Sequence, residues 1–427
     1  MVSLPRGMRD YSPDEAMLLN DIIAKAEMVF RRFGFYPIIT AAIENNDVLN
    51  AKNYGSESGK EIFRIEGEEA GLRYDFTVPM SRYVAFNKDT VMPFKRYQIG
   101  SIWRKDEPQF MRSREFIQAD IDIVGSSEVS SDAEVVAACA IALDEMGVEG
   151  YVLHVNSRIL VESILEMFNV PSGKRTDAMR ALDKLYKLGS EEVSSQLVGL
   201  GLDKNSADSI IDFVSTGNFE SKAESLSAFS ANAKQELDKL YKFVSLVKSY
   251  NIKGSIEIDF SLIRGFDYYT GLIWEFVVEK EGKRLPAVAG GGRYDKLIGT
   301  LRGGSPLPAT GSSIGITRIF DLRYEKTNVK TYATVFVAHV SNDDFDYALA
   351  IANRLRSSGL NTDLDLSQRS LSKQLAYASS LGIPYAIIIG AVERKQGKLK
   401  LRDMSTGAEE LLGVDEAINK INKSKGV

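Results

Sequence analysis

Between Pro13 and Phe33 the apolar residues Leu18, Ile22, Ala26, Val29, Phe30 and Phe33 recur at three- and four-residue steps, which predicts an amphipathic helix stopping at Gly34. A strand is expected over 35–39, where Pro37 suits an edge or interface strand better than a central one. Residues 60–125 read as successive strands with a helix near 79–88, and 131–146 as a helix. From 171 to about 250 strand signals give way to Lys, Glu, Ser, Leu and Ala punctuated by Gly189, Gly199 and Gly217, the pattern of a helical insertion. Strands resume at 255–260 and 273–278 and lead into a glycine-rich stretch, 289–315. After 324–328 strand and helix alternate: strand 332–340, helix 343–357, strand 360–366, helix 370–381, strand 385–389. That alternation implies a small parallel or mixed α/β domain.

Composition narrows the chemistry. At 427 residues the chain has room for two or three domains, and 44% hydrophobic with 26% charged residues is ordinary globular usage. A net charge of -5 argues against indiscriminate nucleic-acid binding, although 53 Lys and Arg allow a local basic surface. Cys139 is the single cysteine, set in a helical core pattern, and His154 and His339 are the only histidines. An intramolecular disulfide and a cysteine zinc site are therefore excluded, and little remains for a histidine cluster. The start shows no apolar signal region and no apolar run reaches membrane-spanning length, so a cytoplasmic protein without membrane contact is expected.

Three segments carry candidate chemistry. Residues 116–124 alternate Ile117, Ala119, Ile121 and Ile123 with Gln118, Asp120 and Asp122, so one face packs and the other is acidic. The preceding strand, 97–104, ends at Arg104 and reaches it through a loop holding Lys105, Asp106, Glu107, Arg112 and Arg114. Its length and charge suggest a lid over an anionic ligand. In Arg264-Gly265-Phe266-Asp267-Tyr268-Tyr269-Thr270-Gly271 a planar cation stands beside two phenols, a set suited to a phosphate or carboxylate next to a polar-edged ring. Gly290-Gly291-Gly292 would let a flat ligand lie against a strand, or else mark a bulge. Residues 55–60 imitate a phosphate loop, but are one residue short between the glycines and have Glu61 where Ser or Thr is required. The triplet followed by Arg293-Tyr294-Asp295 lacks the third glycine of a dinucleotide fingerprint.

Taken together, these blocks resemble the histidyl-tRNA synthetases, a family of class II aminoacyl-tRNA synthetases. The first helix with residues 35–39 resembles the first class II motif, the strands around Arg104 the second, and Gly311-Ser312-Ser313-Ile314-Gly315-Ile316-Thr317-Arg318 the third. The segment 262–271, with 289–295 and Leu72-Arg73-Tyr74-Asp75-Phe76-Thr77, resembles blocks peculiar to the histidine enzymes. The resemblance implies an α+β catalytic domain over 1–325, an antiparallel sheet flanked by helices, with a helical insertion at 171–252 that touches the tRNA acceptor arm. It further implies a C-terminal α/β anticodon-binding domain over 330–427, and a homodimer built through the first motif.

The implied reaction joins L-histidine to ATP, giving histidyl-adenylate and pyrophosphate, and then moves histidine to the 3′ end of tRNA(His). Roles follow by resemblance. Arg104 clamps the α-phosphate and the histidine carboxylate, and Arg264 stabilises that phosphate from the opposite side, where other class II enzymes rely on a metal; these two are the catalytic candidates. Arg318 stacks on adenine and reaches the γ-phosphate, while Arg112 meets the outer phosphates. Asp75, Thr77 and Gln118 hold the α-ammonium, Asp122 and Tyr269 read the imidazole with Tyr268 beside them, and Gly290 and Gly291 form the floor. Polar partners at both ring nitrogens reject other amino acids without an editing domain. ATP enters with Mg2+ as substrate, and neither a protein-held metal nor a prosthetic group is expected. Asp75 and Asp122 stand where many bacterial members have Glu, so the chain looks like the archaeal and eukaryotic branch; Thr317 replaces the acidic residue usual before the third motif's arginine. In the C-terminal domain, Arg369, Lys373 and Gln374 are candidate tRNA contacts. A non-catalytic regulatory relative of the same fold would lack the arginine at 264 and the last hundred residues, and both are present.

Overall fold

The computed structural model describes residues 3–51, 61–215, 218–264, 268–280, 282–324 and 330–424. The phosphate-loop imitation at 55–60 and the centre of the 264–271 segment, Gly265 to Asp267, lie outside the described residues. The chain divides into two compact units, Met1–Asp10 with Leu19–Glu325, and Tyr11–Leu18 with Lys326–Val427.

The first helix spans Pro13–Arg32 and has Asp14 and Glu15 in its first turn and Arg31 and Arg32 in its last, complementing the helix dipole at both ends. Ser12 N–H donates to Glu15 at 2.8 Å, and Gly34 takes φ +74° just past the end, a left-handed geometry glycine adopts without a Cβ penalty. Of the predicted stripe, Ile22, Ala26, Val29 and Phe30 are wholly buried, Leu18 is buried and Phe33 at the end is half-buried.

In the larger unit a nine-stranded sheet runs in the order Tyr36–Pro37, Phe94–Trp103, Glu115–Val124, Ala309–Gly315, Ala289–Arg293, Leu272–Lys280, Tyr151–Ser157, Ser255–Ile258, with Lys283–Arg284 folded onto the Leu272–Lys280 strand. The expected antiparallel sheet is present and is extended at its edges. The middle is antiparallel, but both outer pairs, Tyr36–Pro37 with Phe94–Trp103 and Tyr151–Ser157 with Ser255–Ile258, are parallel, so the sheet is mixed. Pro37 does lie on the edge strand, which is shorter than expected because proline donates no ladder bond. The expected strand 255–260 ends at Ile258, since Asp259 turns the chain by accepting from Ser261 N at 2.9 Å and Ser261 Oγ at 2.5 Å. The glycine triplet forms no bulge: Gly290, Gly291 and Gly292 pair regularly with a strand on each side.

Six helices between Ser172 and Ser249 form the insertion, with no strand among its described residues. The last of them, Ala231–Ser249, packs on the central helix Val129–Glu145, and Ser157 Oγ donates to its buried Glu236 at 2.6 Å. Cys139 is buried within Val129–Glu145, as its core pattern predicts.

The smaller unit holds a five-stranded sheet ordered Thr362–Leu364, Val335–His339, Tyr385–Ile389, Leu399–Asp403, Glu409–Leu412, parallel in its first three strands and antiparallel in the rest. Ile387 and Ile389 sit in a core with Ile351, Leu355 and Ile421. Gln374 is not available as a tRNA contact. It is 0% exposed, and its amide accepts from His339 N at 3.0 Å and donates to His339 O at 2.9 Å, so it pins a helix to the sheet. Arg369 pairs with Asp365 at 2.5 Å and lies over the Tyr377 ring, while Lys373 stays exposed.

Candidate active site

Over the antiparallel middle of the nine-stranded sheet lies a cavity of about 360 Å³. Period-two alternation turns Gln118, Asp120 and Asp122 of the Glu115–Val124 strand to one face, where all three line it. Asp75 and Thr77 border it from the turn that starts the helix Thr77–Phe86, where Asp75 Oδ1 accepts from Val78 N at 3.0 Å. Tyr268, Tyr269, Gly290 and Gly291 line it as well; Asp75, Asp120 and Asp122 interact as one cluster, the acidic end, and Arg104, Arg112, Arg264 and Arg318 as another, the arginine end, with Arg264 reaching over the Tyr269 ring. Every residue that the sequence nominates for ATP or histidine thus lines one space.

The arginine end is held mainly by backbone carbonyls. Arg104 Nε donates to Tyr74 O at 3.0 Å, and the guanidinium lies over Phe116. Arg264 Nη1 donates to Trp274 O at 3.1 Å with Glu275 3.8 Å from its Nε, and Arg318 donates to Met111 O at 3.2 Å and Ala287 O at 2.5 Å. A carbonyl orients a guanidinium without cancelling its charge. Burial first, and then the cations of Arg104 and Arg112, pull the Arg318 pKa down to about 10, a sign that like charges crowd a half-dry space. Burial also opposes the Arg264 charge, yet Tyr269, Glu275 and Tyr268 hold its pKa above the ordinary arginine value. Arg112 sits in the loop between the two strands, fixed by Asp106 at 2.8 Å after Met111 takes φ 58°.

The acidic end is internally partnered. Asp122 forms an ion pair with Arg96, which is 0% exposed, and accepts a hydrogen bond from the Tyr294 hydroxyl. Asp120 accepts from Ser313 Oγ at 2.5 Å. Tyr268 and Tyr269 join hydroxyl to hydroxyl at 3.2 Å, and Gln118 Oε1 is buried with no hydrogen-bond partner among the described residues. The glycines permit this crowding. A Cβ on Gly290 would fall 2.1 Å from Arg264 Nη1, and one on Gly311 1.9 Å from Asp122 Oδ1. Thr317 accepts from Ile117 N at 2.9 Å, which gives the neutral residue before Arg318 a structural task.

Sequence reasoning left Asp120, Tyr294, Arg96 and Glu275 without a site role. Strand alternation already put Asp120 on the acidic face, and Tyr294 lay inside a recognised block. Arg96 had no signal, because what makes it part of the site is a cross-strand register opposite Asp122. Arg293, in the same block as Tyr294, turns inward instead, donating to Asp132 at 2.7 Å and to the carbonyls of Ser126 and Glu128.

A mixed sheet whose antiparallel centre carries an arginine-lined cavity, with the two-strand-and-loop unit on one side and a strand running into the Arg318 helix on the other, defines the catalytic domain of a class II aminoacyl-tRNA synthetase. The family model described as Histidyl-tRNA synthetase matches residues 7–319, and one described as Anticodon binding domain matches 334–424. The chain belongs to the histidyl-tRNA synthetase family. It is 39% identical to the histidine–tRNA ligase of Aeropyrum pernix over 98% of this chain and 97% of that relative. Among solved structures, a histidyl-tRNA synthetase from a Nostoc species superposes with a TM-score of 0.85 at 28% identity, covering 99% of each chain. A Bacillus halodurans structure titled an ATP phosphoribosyltransferase regulatory subunit/histidyl-tRNA synthetase reaches 0.76 at 20% identity, over 91% of this chain and 98% of that one, a likeness of fold alone.

Proposed function

We propose that this cavity activates L-histidine with ATP and that the chain then passes histidine to the 3′ end of tRNA(His). The observation that carries the reading is the convergence of four guanidinium groups on one end of a cavity whose other end is acidic. A ligand pair that is anionic at one end and cationic at the other suits both, and ATP with an amino acid is such a pair.

A histidine carboxylate oxygen attacks the α-phosphorus, the bond from that phosphorus to the β-bridging oxygen breaks, and pyrophosphate leaves with the electron pair. Negative charge builds on the α-phosphate oxygens between Arg104 and Arg264, each already oriented by a carbonyl, so little reorganisation remains for the transition state. Arg318 and Arg112 take the adenine face and outer phosphates. Asp75, Thr77 and Gln118 receive the α-ammonium, for which the unpartnered Gln118 Oε1 is a ready acceptor. Asp122 and Tyr269 face the imidazole. In the second step the terminal adenosine hydroxyl attacks the activated carbonyl, AMP departs, and the hydroxyl proton passes to the leaving phosphate. Mg2+ would enter bound to the ATP phosphates, whose oxygens are its usual ligands.

A homodimer is supported by the exposed apolar residues Tyr36, Ile39, Ile43, Phe86 and Val91, Ile39 being 95% exposed. Among the described residues no helix is long and apolar enough to cross a membrane, which suits a cytoplasmic setting. Pyrophosphate exchange with each of the twenty amino acids tests the main reading. Exchange with histidine alone is expected; exchange with a different amino acid, or with none, removes it.

A further inference from the structure

The acidic end of the cavity holds three carboxylates, Asp75, Asp120 and Asp122, where recognition of histidine as described above uses only two. Asp120 lies on the strand between Gln118 and Asp122, one step of the same face from each, and is 3% exposed while lining the cavity. Strand geometry puts neighbours of this kind roughly 7 Å apart, close enough for one bound amino acid to touch all three. Ser313, opposite it in register, occupies Oδ1, and among the described residues no hydrogen bond is made to Oδ2. We infer that Asp120 is a positioning residue that gives up a proton when histidine binds, placing its carboxylate beneath the α-ammonium between Asp75 and Gln118.

The surroundings make such an exchange feasible. Across the sheet from the Phe94–Trp103 strand comes Arg96, which pairs with Asp122; the turn before the helix Thr77–Phe86 contributes Asp75; the Ala309–Gly315 strand contributes the neutral Ser313. Behind the strand, the helix Val129–Glu145 contributes Cys139, whose thiol is pushed up to about 12 by burial and so stays neutral. Of the described groups that act on Asp120, the cation of Arg96 therefore stands against the carboxylates of Asp122 and Asp75. Burial, followed by the repulsion of Asp122 and Asp75 and against the attraction of Arg96, raises Asp120 to about 7. The empty cavity shares a proton there near neutrality, and an arriving ammonium favours the ionised form and expels it.

The inference rests on histidine being the ligand, and the test separates the two. Because protonation of Asp120 competes with the ligand, histidine affinity should rise about tenfold from pH 6 to pH 8 through this group, and at pH 7 about half a proton should be released per histidine bound. Isothermal titration in buffers of differing ionisation enthalpy measures both, and the titration of histidine's own imidazole is common to all variants. In Asp120→Asn the released half proton and the tenfold slope should disappear while ATP still binds. In Ser313→Ala, which removes the hydroxyl that favours the carboxylate, the midpoint should move to higher pH, and this milder variant carries the test if the first does not fold. If both variants keep the wild-type proton count and slope, Asp120 has no such role; if the unaltered protein binds no histidine, the functional reading fails instead.

Discussion

The two ends of the cavity handle charge in opposite ways. At the acidic end the carboxylates lean on the protein itself: Asp122 on Arg96 and Tyr294, Asp75 on a helix N-terminal N–H, and Asp120, through one oxygen, on Ser313. At the arginine end, carbonyls of Tyr74, Trp274, Met111 and Ala287 orient Arg104, Arg264 and Arg318; Glu275 offsets Arg264, while Arg318 is left to the repulsion of Arg104 and Arg112. Asp122 is held in place by Arg96 and Tyr294 before any ligand arrives, which suits reading the hydrogen bonds of a small ring. The arginine end is strained by like charge until a polyphosphate arrives, which suits stabilising charge that develops during reaction.

Removing the arginine-end charge should have the largest effect. Arg264→Ala should lower kcat for pyrophosphate exchange by about 10²–10³-fold, as loss of a preorganised transition-state donor does elsewhere. Arg264→Lys should recover little of it, since an ammonium cannot reproduce the planar fork. A change confined to KM for ATP would mean that this end binds ground state and transition state alike.

At the acidic end, Asp122→Asn should cost stability as well as selectivity. It leaves the buried Arg96 uncompensated, a loss of about 3–5 kcal/mol that thermal or urea unfolding would register. Exchange assays should show weakened preference for histidine with ATP binding largely kept; undiminished selectivity would detach Asp122 from the imidazole.

Paired glycine substitutions sharpen the contrast without deleting a functional group. Gly290→Ala pushes on the flexible end of Arg264 and should reduce kcat by about tenfold, equivalent to about 1.4 kcal/mol of barrier. Gly311→Ala pushes on Asp122 and should raise KM for histidine instead. Identical kinetic signatures from the two would argue that the ends do not act separately. The smallest effect is expected from Thr317→Val, which removes one acceptor for Ile117 N–H and should cost about 1 kcal/mol of stability with little change in exchange rate.

Much of this was readable along the chain. Strand alternation at 116–124, the charged loop before it and the two tyrosines after Arg264 are local patterns, and local patterns report which side of an element is polar and what chemistry it carries. The amphipathic first helix and the alternation after 330 are legible for the same reason. Gln374 shows where this fails: a polar residue near a helix start gives no sign that its amide will bond the His339 backbone twice.

From the residues alone came the element types, the two-unit plan and the acidic strand face, charged loop and arginine–tyrosine segment, because periodicity and side-chain chemistry are properties of short stretches; the ligand roles came from the family resemblance. Only the tertiary structure decided the parallel outer pairs of the sheet, the burial of Arg96 against Asp122, the inward turn of Arg293, and the roles of Gly290 and Gly311 as room for other residues' side chains. Each of those depends on the register between strands distant in the chain. Shifting one strand by a single residue reverses its faces, so the composition of the cavity is settled by the pairing of the whole sheet.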